Sequence, residues 1–224
     1  MACEIFEPEL EKELCHLSSL GLSGNLDDFV SWLHMSFLMK TGEEVEFSKE
    51  NVGKILDKLI QCHDLYKGGF DNKEFCLKSD SKLMPLKLNE DRFTILGHSK
   101  FSPIQFVKSR LEFFLTFNGV SEEDIIDISI ATIEAVENAV KYGDGNEVDV
   151  DYYIEQTQRI FHISVTNKIK EFELDEEIER GKYSAKITLM RGVMVMQKLF
   201  DQIDLSIIED KKQARLTAIK KIPA

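Results

Sequence analysis

The sequence is short of several things that would assign it to a common class. It has four cysteines in 224 residues, Cys3, Cys15, Cys62 and Cys76, and no two of them form a Cys-x-x-Cys pair. That spacing argues against a disulfide-stapled scaffold or a zinc ribbon and fits free thiols in the cytoplasm. The dipeptides Cys15-His16 and Cys62-His63 invite a Cys₂His₂ reading, but they lack the paired ligand spacing such sites use, so helical thiols beside unrelated histidines are the simpler expectation. Basic residues are also scarce, with 28 Lys and Arg against 40 Asp and Glu and a formal net charge of −12. A general nucleic-acid binder needs the opposite balance, and an anionic membrane would repel this one. No apolar run approaches the ~18–20 residues of a membrane span. The acidic start has neither the basic segment nor the apolar stretch of a secretory leader, so cytoplasmic residence is expected. At 43% apolar residues, the chain has enough hydrophobic material for a real core.

Two halves are expected: a helical regulatory or docking domain over residues 1–90, and a mixed domain over residues 91–224. In the first, one helix covers about Pro8 to Leu20. A second, capped by Asn25 or Asp27, runs to about Lys40, and a third runs from Ser48 to about Tyr66, closed by Gly68-Gly69. In the second half, a strand at Phe93–Leu96 precedes a helix opened by Ser102-Pro103 and closed by Gly119. Ser121 and Asp124 open another helix, which continues to about Tyr142. Residues 147–155 and 159–167 read as a hairpin, residues 171–189 as a loop, 190–200 as a helix, and 203–209 and 214–222 as two last strands. Helices on one face of a mostly antiparallel sheet make the fold class α+β, a two-layer α/β sandwich.

The helix from Ser121 carries the chemical signal. At ~100° per residue, Asp127, Glu134, Asn138 and Lys141 fall in one polar arc. Glu134 and Asn138 are one turn apart and can act on one ligand, and their oxygens are hard donors suited to Mg²⁺ or to orienting a water. Ala131, Ala135 and Ala139 run beside them and permit close approach. An ordinary amphipathic helix with a solvated polar face has the same pattern, so helix periodicity leaves both readings open.

Glu134-Ala-Val-Glu-Asn138-Ala139 resembles the N box of the Bergerat-fold, or histidine kinase-like, ATPases. Its context, from Ser121 through Asp127 and Ala131, is similar to that of bacterial anti-sigma-factor serine kinases. So is the segment from Arg191-Gly192 to Asp201. The likeness covers roughly residues 92–222. It implies a cytoplasmic, ATP-dependent serine/threonine kinase acting in transcriptional or stress-response partner switching. Its implied partners are a sigma factor or an anti-anti-sigma factor, and a homodimer is implied by the same analogy. Glu134 takes the role of catalytic base in that family, and Asn138 that of the Mg²⁺ ligand beside ATP. Asn167, Arg191 and Gly192 fall where the nucleotide would be contacted.

Other positions depart from the pattern. The family's Asp-x-Gly-x-Gly box stands here as Asn167-Lys168-Ile169-Lys170-Glu171, and its second glycine motif as Met190-Arg191-Gly192. The lost glycines remove backbone freedom and close approach to a nucleotide, and β-branched Ile169 tolerates positive φ badly. Residues 171–180 add six acids against Arg180, which opposes a triphosphate. A nucleotide-independent protein-binding module on the same fold, without kinase activity, is therefore the alternative.

Overall fold

A computed structural model of the chain describes residues 3–4, 7–169, 192–208 and 212–223. The expected loop at 171–189, and Arg191 with it, lie outside the described residues. The chain folds as two compact units: Met1–Leu88 with Ser99–Phe114, and Asn89–His98 with Leu115–Ala224. The segment 99–114 packs with the first of these units.

In the first unit, β1 (Cys3–Glu4) pairs in parallel with β2 (Val45–Glu46). Helices α1 (Glu7–Ser19), α2 (Leu26–Thr41) and α3 (Lys49–Gln61) pack on one another. The Asn25 side chain accepts from the backbone N–H groups of Asp27 and Asp28, and Asp28 returns the bond to the Asn25 N–H, so α2 starts in a full capping box. Gly42 ends it in the left-handed region. Ser48 caps α3 by accepting from the Asn51 N–H. The helix stops at Gln61, four residues before Leu65 opens β3, rather than running to Tyr66. The terminator is His63 at φ 63°, and the Asp64 N–H reaches back to the Leu59 carbonyl at 3.0 Å. A histidine in that conformation gives no signal comparable to a glycine.

Strands β3 (Leu65–Gly68) and β4 (Glu74–Leu77) form a hairpin inside the stretch expected to be mostly helical. Gly69, Asp71 and Asn72 all adopt positive φ in its turn. Gly68-Gly69 thus belongs to a hairpin and not to a helix end.

Helix α4 (Pro103–Phe117) contributes its residues up to Phe114 to this unit, with Pro103 at its first position. Trp32 is fully buried, edge-on to Phe29 at 5.1 Å and to Phe106 at 5.9 Å, and its indole N–H donates to the Ser102 carbonyl at 3.3 Å. Glu13 is buried. Burial works against its charge, but hydrogen bonds from Lys40 and Ser36 outweigh that and hold its pKa below the usual carboxylate value.

The second unit is built on a five-stranded sheet of β5 (Glu90–Leu96), β6 (Gly143–Glu155), β7 (Ile160–Ile169), β8 (Gln202–Ile208) and β9 (Gln213–Lys221). Their order is β5-β6-β7-β9-β8, and every neighbouring pair is antiparallel. Helix α5 (Glu122–Tyr142) packs on β6, β7 and β9, and α6 is the helical stretch over residues 192–199. This is the α+β architecture expected.

Alternation decides which side is covered. Val148, Val150, Tyr152 and Ile154 on β6 and Phe161, Ile163 and Val165 on β7 are buried, while their neighbours along each strand are more exposed. Ala131, Ala135 and Ala139 are buried on α5, so the small-residue row lets the helix lie close to the sheet.

Candidate functional site

Ser121 fixes the start of α5. Its hydroxyl accepts from the Asp124 N–H at 3.2 Å and donates to the Asp124 carboxylate at 2.7 Å. From that start the helix runs unbroken for 21 residues and brings Glu134 and Asn138, both half-buried, onto one face. Gly192, at the start of α6, lies directly against them. A Cβ on Gly192 would sit 2.8 Å from Glu134 Oε2 and 2.8 Å from Asn138 Nδ2. Three of the residues singled out in the sequence therefore converge, and glycine is the residue that leaves room for the other two.

Asn138 Nδ2 is buried and has no hydrogen-bond partner among the described residues. A buried amide N–H without an acceptor costs about 1–3 kcal/mol, a cost that an anionic ligand oxygen would remove. The opposite end of the same amide is a hard oxygen, as is the Glu134 carboxylate one turn away, and that donor set suits Mg²⁺. The residues present therefore fit a metal-bound phosphate at this point.

Asn167 lies on the helix-facing side of β7 and is 8% exposed. Its Nδ2 donates to the Lys168 carbonyl at 3.0 Å, so the amide oxygen is the end left to accept from a ligand. It sits by the C-terminal end of α5. A Cβ on Gly143 would meet Asn167 Nδ2 at 2.8 Å and the Ala139 carbonyl at 2.5 Å. Asn167 is thus placed about one helical turn beyond Asn138.

Sequence periodicity missed one element of this arrangement. Asp127, expected in the polar arc with Glu134, is instead engaged by Lys220. The Lys220 ammonium donates to Asp127 at 2.9 Å and to the Leu199 carbonyl at 3.0 Å, with Asp124 at 3.8 Å. One lysine on β9 thereby ties the first turns of α5 to the last turn of α6. The available signal was phase: Leu216, Ala218 and Lys220 share the inward face of β9, an unusual place for a lysine without partners.

A cavity of about 230 Å³ lined by His34, Leu38, Glu44, Lys100 and Phe101 belongs to the first unit. Glu44 and Lys100 already pair there at 2.6 Å. Among the described residues no group of three or more His, Cys, Asp or Glu side chains could hold a metal, and no helix is long and apolar enough to cross a membrane.

Comparison with known proteins places residues 105–220 in the family described as the histidine kinase-like ATPase domain. No curated protein sequence matches the chain. Among solved structures, the chain is similar to the RsbU and RsbW domains of a Mycobacterium tuberculosis protein, at 18% identity and a TM-score of 0.45, covering 67% of this chain and 36% of that one.

Proposed function

The chain belongs to the histidine kinase-like ATPase domain family, whose members generally bind nucleotide with Mg²⁺, and from that premise we propose that it is a regulator of the anti-sigma-factor serine kinase type. Mg-ATP would be held by the residues that face each other between α5 and the start of α6. The observation that carries this reading is the convergence of Glu134, Asn138 and Gly192, with the Asn138 amide N–H left for a ligand to satisfy.

Asn138 would hold the metal through its amide oxygen, and Mg²⁺ held there would supply positive charge to offset that of the phosphates. Glu134 accepts the proton of the attacking hydroxyl or water. Asn167 accepts from the base through its uncharged amide oxygen, and Arg191 with the N-terminus of α6 attracts the phosphates. Residues 1–90 act as a regulatory or docking domain, and the partner is a sigma factor or anti-anti-sigma factor in the cytoplasm.

The second reading, a nucleotide-independent binding module, is favoured by Ile169, Glu171 and Met190 at positions where the resembled family has glycine. Thermal denaturation separates the two. A ligand at 100 times its dissociation constant adds about 2.7 kcal/mol, so saturating Mg-ATP raises the melting temperature by several degrees under the first reading. An unchanged melting temperature selects the second.

Gly192→Ala gives a companion result. The new methyl meets the ends of two side chains that can swing aside, so the fold loses only about 1 kcal/mol, at the lower end of overpacking costs. The displaced Glu134 and Asn138 no longer share a ligand, and the Mg-ATP shift in melting temperature disappears. A retained shift would mean that the close approach of Gly192 does not matter to the ligand.

A further inference from the structure

Two of the cysteines occupy a register that the fold sets independently of the nucleotide site. β1 and β2 pair in parallel, Cys3 with Val45 and Glu4 with Glu46, and each leads into a helix, α1 or α3. These helices pack against each other, and their facing turns keep a constant offset of 47 residues. Glu7 and Lys54 are within electrostatic reach, and Glu11 and Lys58 form an ion pair at 2.8 Å. One turn further along both helices, the same offset falls on Cys15 and Cys62.

The surroundings agree with that register. Lys82 and Lys58 each act on both thiols. Asp64, two residues beyond Cys62, acts on Cys15 and pairs with Lys82 at 3.1 Å. Both thiols are free, Cys62 exposed and Cys15 partly so. Cys62 is also the C-cap of α3, where the backbone yields more readily than within a helix.

We propose that Cys15 and Cys62 are a redox-responsive thiol pair, a modification site for hydroperoxide oxidants, which closes into a disulfide joining α1 to the end of α3. Cys62, being exposed, is attacked first. Its thiolate takes one oxygen from hydrogen peroxide and becomes a sulfenic acid, releasing hydroxide that is protonated to water. The Cys15 sulfur then attacks the Cys62 sulfur, the S–O bond breaks, and a second water leaves with the Cys15 proton. In sum, two thiols and one peroxide give one disulfide and two waters. Burial raises the pKa of Cys15, with the Glu11 and Asp64 charges adding to it, which suits a resolving thiol rather than the first nucleophile.

Peptide mapping of the full-length protein tests this. The reduced chain is treated with one equivalent of hydrogen peroxide, alkylated and digested. The expected product is an intramolecular Cys15–Cys62 linked peptide pair, lost on treatment with dithiothreitol and still formed in Cys76→Ser. In Cys15→Ser, Cys62 remains as a sulfenic acid trapped by dimedone. Linkage through Cys3 or Cys76, disulfides between chains, or Cys62 oxidised while Cys15 stays fully alkylatable would overturn the proposal. The mapping on the unsubstituted chain decides the matter even if Cys15→Ser does not fold, and neither result depends on ATP.

Discussion

Glu134→Gln lowers phosphoryl transfer or ATP hydrolysis by at least about 100-fold and leaves Mg-ATP affinity nearly unchanged. Glutamine keeps the size of glutamate, so the tight fit beneath Gly192, where a Cβ would lie 2.8 Å from Oε2, is preserved. Its amide cannot accept a proton as a base, and only the step that needs one slows. A positioned general base contributes about 10²–10⁴ in rate, which sets the expected size. Product release under saturating Mg-ATP, with affinity measured separately, provides the check. A variant as fast as the parent would move the base elsewhere. A variant that also lost affinity would make Glu134 a binding residue.

Trp32→Ala destabilises the first unit by about 3–5 kcal/mol. The indole is completely buried, is held edge-on by Phe29 and Phe106, and spends its N–H on the Ser102 carbonyl. Truncation leaves a cavity between α2 and α4 and removes one of the two hydrogen bonds to the Ser102 carbonyl, which keeps the one from the Phe106 N–H. At about 4 °C per kcal/mol for a unit of roughly 100 residues, the melting temperature falls by about 12–20 °C. Trp32→Phe keeps most of the apolar volume, loses the hydrogen bond, and costs about 1–2 kcal/mol. Trp32 is the only tryptophan, so the melts are followed by circular dichroism rather than intrinsic fluorescence. Equal losses in the two variants would place the energy in the hydrogen bond and contradict the packing argument.

Much of this architecture was legible because local chemistry and burial agree. Asn25, Ser48 and Ser121 each announce a helix, and each caps one. The alternation from Val148 to Ile154 announces a strand with one covered face, and that face is buried. The β3–β4 hairpin was hidden because its turn combines Gly69 with left-handed Asp71 and Asn72, so the glycines read as a helix end.

The close of α3 was hidden for a similar reason, since His63 does the work usually given to glycine. Segment 99–114 is long-range in character: its place beside Trp32 is set by tertiary packing that no local window contains. At the candidate site, the helical spacing of Glu134 and Asn138 was visible in the sequence. The approach of Gly192 was not derivable from spacing, because it is a tertiary contact between α5 and a helix more than fifty residues further along the chain.

The central claim is that the amide of Asn138 holds the metal of a nucleotide site under Gly192, with the Glu134 carboxylate beside it as the base. Calorimetric titration of Mg-ATP into the unsubstituted protein and into Asn138→Ala tests it most directly. The account predicts saturable binding to the first and a loss of about 100-fold, about 2.7 kcal/mol, in the second, whose residual binding no longer responds to Mg²⁺. Equal affinities in the two proteins, or no heat from either, would contradict it.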